Sequence, residues 1–198
     1  MKPHTTKRAI NALVAISTLA TGCVLAFHYP LGAHIALPCF ALFALLQFYQ
    51  PHVSLITIPA LLPIVGLAPW TGWITFEELD LMVLATAAGG YARHASENAE
   101  HPEQRASLLL IALATLMSLS ILISMSRGFL DAGGFTLGWF QGYEGPMNSL
   151  RIAKSFFSAL MLVPLLIRLP NDSAAKTDQT LAIGLALGLG TVSLAALV

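Results

Sequence analysis

The sequence predicts an all-α, polytopic integral membrane protein of about seven transmembrane helices with a Gly/aromatic-rich periplasmic loop, and three observations carry that prediction. Hydrophobic residues make up 56% of the chain and charged residues only 10%, for a mean hydropathy of +0.74. The apolar excess is spread along the whole chain in blocks of helix length, which a soluble domain does not show. Short polar or turn-forming stretches separate the blocks. Formal net charge is zero and no basic surface carries interleaved aromatics. The net charge is silent on nucleic acid, but without such a basic patch nucleic acid is excluded as a partner, and the lipid bilayer remains.

The blocks place helices near 9–27, 31–48, 53–67, 76–92, 106–125, 149–168 and 181–198, read as one transmembrane helical domain over 1–198. The first follows a short basic start, MKPHTTKR, and is uncharged from Ala9 to Phe27. Ala20-Thr21-Gly22-Cys23 resembles a lipoprotein cleavage site, but the residues after Cys23 stay apolar where a lipoprotein begins a polar tether. A spanning helix is the better reading. His28-Tyr29-Pro30 turns the chain into the second block, and Gln50-Pro51-His52 turns it into the third. Pro38, Pro59 and Pro63 predict kinks, because neighbouring membrane helices satisfy the carbonyls that proline frees. Cys23 and Cys39 lie inside apolar blocks and read as small buried hydrophobes. His28 and His34 have no third ligand at a metal-site spacing, so no metal and no other cofactor is implied.

Trp70 and Trp73 suit the interfacial belt ahead of the fourth helix. Thr75 followed by Glu78 reads as a capping box, and the helix dipole accounts for Glu77. Asp80 lies a turn deeper, shares a face with Glu77, and needs either a partner or a hydrated cavity. Gly89 and Gly90 predict the close approach of another helix. Arg93 to Arg105 reads as a solvated linker with nothing in it that marks a site. Leu181 to Val198 is apolar, rich in small residues and without a polar flank. That ending leads to the expectation that the chain is the N-terminal part of a longer polytopic protein.

Arg127 to Lys154, RGFLDAGGFTLGWFQGYEGPMNSLRIAK, is the most informative stretch. Six glycines interleaved with Phe129, Phe135, Trp139, Phe140 and Tyr143 predict a structured loop at the membrane surface. Pro146 in a first turn and Asn148 or Ser149 as N-cap predict a helix entering the bilayer. Arg151 and Lys154 sit in its opening turns, where the dipole is already positive, so something anionic has to compensate. Two readings stay open. The two cations share a face and, with Arg127, bind a phosphate or pyrophosphate, or else Glu144, Asp131 or the acids at 77–80 neutralise them internally.

Charge also assigns an orientation. With a cytoplasmic N-terminus, the loops on that side hold Lys2, Lys7, Arg8, Arg93, Arg105, Arg168 and Lys176, which satisfies the positive-inside rule. The remaining basic residues, Arg127, Arg151 and Lys154, fall on the outer side with Glu77, Glu78, Asp80, Asp131 and Glu144.

The acidic helix start TFEELDLMVLATAAGGYAR and the passage GYEGPMNSLRIAKSFF make the chain resemble the N-terminal membrane half of bacterial O-antigen ligase and polymerase-like proteins. The resemblance implies a multi-helix protein of the bacterial inner (cytoplasmic) membrane. It implies a glycosyltransferase acting at the periplasmic face, moving glycan from an undecaprenyl-pyrophosphate carrier to an acceptor, with arginines handling the pyrophosphate. The family's large periplasmic loop and functional arginine and histidine lie mostly in a C-terminal half that this sequence does not contain. Combined with the residue reading, it makes Arg151 and Lys154, then Arg127, the pyrophosphate-binding cations. Asp80 or Glu77 is then the carboxylate that deprotonates the acceptor hydroxyl. Two other classes use the same charges: a transporter or flippase of a lipid-linked or anionic substrate, and a non-catalytic assembly subunit that works beside other membrane subunits.

Overall fold

The computed structural model describes residues 3–63, 65, 75–97, 108–134, 145, 147–169 and 174–195. Among these residues the chain forms seven helices and no strand: α1 (Pro3–Phe27), α2 (Ala33–Tyr49), α3 (Val53–Leu61), α4 (Glu78–Ser96), α5 (Leu108–Asp131), α6 (Met147–Ile167) and α7 (Ala174–Ala195). Three of them, Thr6–Phe27 within α1, all of α5 and all of α6, are long and apolar enough to cross a membrane. α5 buries none of its residues although it is the most apolar of the three, so its leucines are suited to lipid and not to a protein core.

α4 is the hub, in contact with α1, α2, α3 and α6. The sequence ATAAGG explains why: Ala85, Thr86, Ala87, Ala88 and Gly89 are all buried and bring other backbones close. A Cβ on Gly89 would collide with the Ala44 carbonyl and crowd the Phe48 amide of α2, and one on Gly90 would meet the Leu165 side chain of α6. The close approach expected from this pair is therefore present on both sides of α4. Gly184 and Gly188 of α7 do the same against the backbone of α3 at Leu55, Ile56 and Pro59.

These contacts fix the directions of the helices. Gly89 beside Ala44, Arg93 bonded to the Tyr49 carbonyl, Asp80 bonded to Lys154 and Tyr91 Oη donating to the Met161 carbonyl at 2.9 Å mean that α2, α4 and α6 run the same way. α1 returns against α2, with Gly22 beside Phe40, and the end of α5 lies beside the start of α6, with Gly128 at Ser149. α3 and α7 run parallel to each other, since 184 meets 55 and 188 meets 59. α1 against α2 and α5 against α6 thus reverse direction, as a chain does when it threads back and forth through a membrane.

Several boundaries differ from expectation. α3 stops at Leu61 and not at 67, because Pro63 has no N–H to donate and its ring opposes the carbonyl four residues back. Pro38 and Pro59 are carried inside continuous helices, as the kink reading requires. α5 runs on past 125 to Asp131, so RGFLD is helix and not loop. It ends where Gly134 N–H bonds the Phe129 carbonyl at 2.8 Å, with Gly133 and Gly134 at φ 93° and 98°. That is a Schellman-type stop, open to glycine and strained for other residues. α6 begins at Met147, which puts Asn148 and Ser149 inside the first turn and not at the cap. α4 extends through Arg93 to Ser96, and α7 starts at Ala174 and not at 181. Cys23 packs against the core as expected, whereas Cys39 is exposed on the outer face of α2. The aromatic segment 135–144, Trp70, Trp73 and Pro146 lie outside the described residues.

Adding a methyl group at Gly89 forces α2 away from α4, so Gly89→Ala should lower stability by about 1–3 kcal/mol in detergent. Gly190, with no atom within 4 Å of its would-be Cβ, is the matched control. Gly190→Ala should leave the melting temperature unchanged or raise it, since alanine is the better helix former by about 1 kcal/mol. Equal thermal behaviour of the two variants would refute the packing argument.

Candidate functional site

The first turns of α4 and α6 meet. Glu77 is the N-cap of α4, extended at φ −109° and ψ 170°, and Asp80 is its N3 residue; together they form a capping box. The Glu77 N–H donates to Asp80 Oδ2 at 2.7 Å. The cap expected from Thr75 and Glu78 is thus displaced by two residues. Asp80 takes the N3 position, where its short carboxylate reaches back to an amide that the helix itself cannot satisfy.

The same Asp80 Oδ2 accepts from Lys154 Nζ at 2.5 Å, an ion pair whose side chains are each only 14% exposed. This carboxylate therefore serves three positive groups: an orphan amide, the α4 dipole and the α6 ammonium. The anion required beside Lys154 is an acid of the 77–80 group. Lys154 Nζ also lies 6.0 Å from the centroid of the Phe76 ring, close enough for the ring face to share in holding it.

Arg151 stands one turn nearer the start of α6, half-buried, and its Nε donates to Asn148 Oδ1 at 2.9 Å. That i, i+3 bond aims the guanidinium along the helix toward the same end as Lys154. Arg127 is exposed on α5 next to Gly128, which contacts Ser149, so it belongs to the same end of the bundle. Arg127, Arg151 and Lys154 carry donors only, so they share this end without bonding one another.

Of the sequence candidates, then, Asp80 and Lys154 touch, Glu77 touches Asp80 through its amide, Arg151 lies beside them, and Arg127 is apart. Glu78 is a residue whose situation the sequence did not show. Both of its carboxylate oxygens are out of solvent contact and, among the described residues, neither has a hydrogen-bond partner. A carboxyl so placed is energetically exposed to any ligand that can bond it. Asn148 was read as a cap and acts as the positioner of Arg151. Its spacing of three from that arginine was the available signal.

No protein-family model matches the chain, and no solved structure matches it.

Because one oxygen holds both the cap and the ion pair, Asp80→Asn and Lys154→Met should each destabilise the protein strongly. Removing one partner of a largely buried pair costs about 3–5 kcal/mol. The double variant should recover part of that loss, since no charge is then left alone. A double-mutant cycle by thermal or denaturant unfolding measures it, and simple additivity of the two single changes would mean that the pair contributes nothing.

Proposed function

We propose that this chain is an inner-membrane protein of cell-surface polysaccharide assembly, O-antigen ligase- or polymerase-like, that handles an undecaprenyl-pyrophosphate-linked glycan at the shared N-terminal end of α4 and α6. In this reading the bundle is embedded in the bilayer, with α1, α5 and α6 spanning it, the N-terminus in the cytoplasm and that end facing the periplasm. The observation that carries it is the Asp80–Lys154 contact, which joins an acidic helix start to a basic one across 74 residues of chain. Arg127 at the end of α5 adds a third cation on the same side. The opposite end carries Arg93 and Arg168, the distribution that the positive-inside rule requires.

Chemically, Arg151 binds the pyrophosphate with its planar fork of donors. An arriving phosphate also competes with Asp80 for Lys154, and the Asp80 carboxylate is released as it does so. The freed carboxylate takes the proton of the acceptor hydroxyl while the acceptor oxygen bonds to the sugar carbon. The bond from that carbon to the pyrophosphate breaks, and the leaving charge is held by Arg151 and Lys154. Glu77 is the neighbouring acid that keeps α4 capped meanwhile.

A second reading is favoured by the same pair. With both side chains only 14% exposed and already matched, Asp80 and Lys154 suit a permanent tie between helices, as in a non-catalytic subunit of a membrane assembly.

Ligand response separates the two. An undecaprenyl-pyrophosphate analogue should raise the melting temperature of the wild type, while Arg151→Gln should lose that shift and still melt close to the unliganded wild type. A wild type indifferent to the analogue leaves only the subunit reading. Orientation is tested by single cysteines at the exposed positions Ser96 and Ala132, after replacement of Cys23 and Cys39. They should label from opposite sides of the membrane, Ala132→Cys from the periplasm, and labelling from one side would remove the periplasmic site.

A further inference from the structure

A cavity of about 200 Å³ lies between α2, α3, α4, α6 and α7, at the end of α4 and α6 opposite to Asp80 and Lys154. Its walls are apolar, with Leu55 and Ile58 of α3, Leu165 of α6 and Leu181 of α7. Charge gathers at one end of it, where the last turn of α4 supplies Arg93 and His94, its C-cap supplies Glu97 and the chain leaving α6 supplies Arg168.

The charges are unequal in their pairing. Arg93 Nε is bonded to Glu97 Oε1 at 2.6 Å, and Arg93 Nη1 reaches the Tyr49 carbonyl at 3.4 Å. His94 Nδ1 lies 3.7 Å from the other oxygen of Glu97. Arg168 is exposed and makes no hydrogen bond or ion pair among the described residues. Among the described residues, one positive charge at the mouth is therefore without a counter-charge.

A turn deeper sits Gln47, packed against Gly89 and only 2% exposed. Its amide nitrogen has no hydrogen-bond partner among the described residues. A fully buried donor left unmade is destabilising and calls for an acceptor. From the helix end inward the order is guanidinium, amide donor, leucine wall. That is the order of phosphate, ester carbonyl and acyl chain in a glycerophospholipid.

We infer that this cavity binds an anionic glycerophospholipid of the surrounding membrane. Its phosphate lies at Arg168, one acyl chain enters between α3 and α6, and its ester carbonyl accepts from Gln47 Nε2 once that amide, closed to solvent as it stands, turns into the cavity. A basic pocket between helices at headgroup depth is a recurrent mode of lipid recognition. Since an apolar cavity of about 150 Å³ takes a benzene, this one takes roughly the first eight carbons of a chain, and the remainder of that chain runs out into the bilayer. The second chain stays in the bilayer. This site is independent of the one formed by Asp80 and Lys154, and neither assignment rests on the other.

Lipid retention on the full chain in neutral detergent, read by native mass spectrometry, tests it. The probes are phosphatidylglycerol, phosphatidylcholine with the same chains, and oleate. The wild type should retain phosphatidylglycerol over phosphatidylcholine. Arg168→Gln should weaken phosphatidylglycerol by about tenfold, toward the phosphatidylcholine level. Gln47→Leu should weaken both phospholipids while the melting temperature holds or rises, because the unmade donor is gone. Arg168 is exposed, so its variant keeps the fold and isolates the headgroup contact. Equal retention of the two phospholipids, preference for oleate, or retention unaffected by Arg168→Gln would each overturn the proposal.

Discussion

Inside a bilayer the lipid is as apolar as leucine, so helices gain little by hiding leucines from it and associate where their backbones can come close. The run ATAAGG in α4 meets that constraint: five consecutive small residues are buried, and the two glycines admit α2 on one side and α6 on the other. Most of the remaining architecture follows from this hub. α1 packs along α4, α6 is held to it by Leu165 against Gly90 and by the Tyr91–Met161 bond, and α5 is attached through α6. Among the described residues α7 packs on α3, by repeating the glycine device at 184 and 188.

Packing alone allows α4 and α6 to slide along one another, and polar contacts set their register. The Asp80–Lys154 pair stands at one end and the Tyr91 hydroxyl nearer the other. An ion pair is an effective register pin because a displaced partner is left as an uncompensated charge in poor solvent for it. The geometry has a chemical side as well. A carboxylate tied to an ammonium is switchable by any anion that competes for the ammonium, which is how one arrangement supports both a structural and a catalytic reading.

The two ends of the α4–α6 pair differ in kind. At the N-terminal ends Asp80 and Lys154 hold each other, with Arg151 set beside them by Asn148. At the C-terminal ends Arg168 has no counter-charge among the described residues, and an apolar cavity opens beneath it. A protein that binds a lipid-linked substrate at one face and an anionic membrane lipid at the other would have both sites connected by the same two rigid helices.

The sequence by itself determined the all-helical membrane character, because hydrophobic block length and the scarcity of charge act locally and need no partner. It also located Gly89 and Gly90 as a crossing, and singled out Asp80 and Lys154 as groups that each required a counter-charge. It misplaced the α4 cap, since Thr75–Glu78 and Glu77–Asp80 are both acceptable boxes by spacing. The choice between them falls to Asp80 once Lys154 pulls its carboxylate to the start of the helix. It also read Arg93 to Arg105 as linker, because the value of Arg93, His94 and Glu97 depends on Gln47 and Arg168, residues remote in the chain. Only the tertiary structure decided which acid meets which cation and which donors are left without an acceptor. Such pairings are set by interhelical distance, and distance between segments remote in sequence is not encoded in the local periodicity from which helices are read.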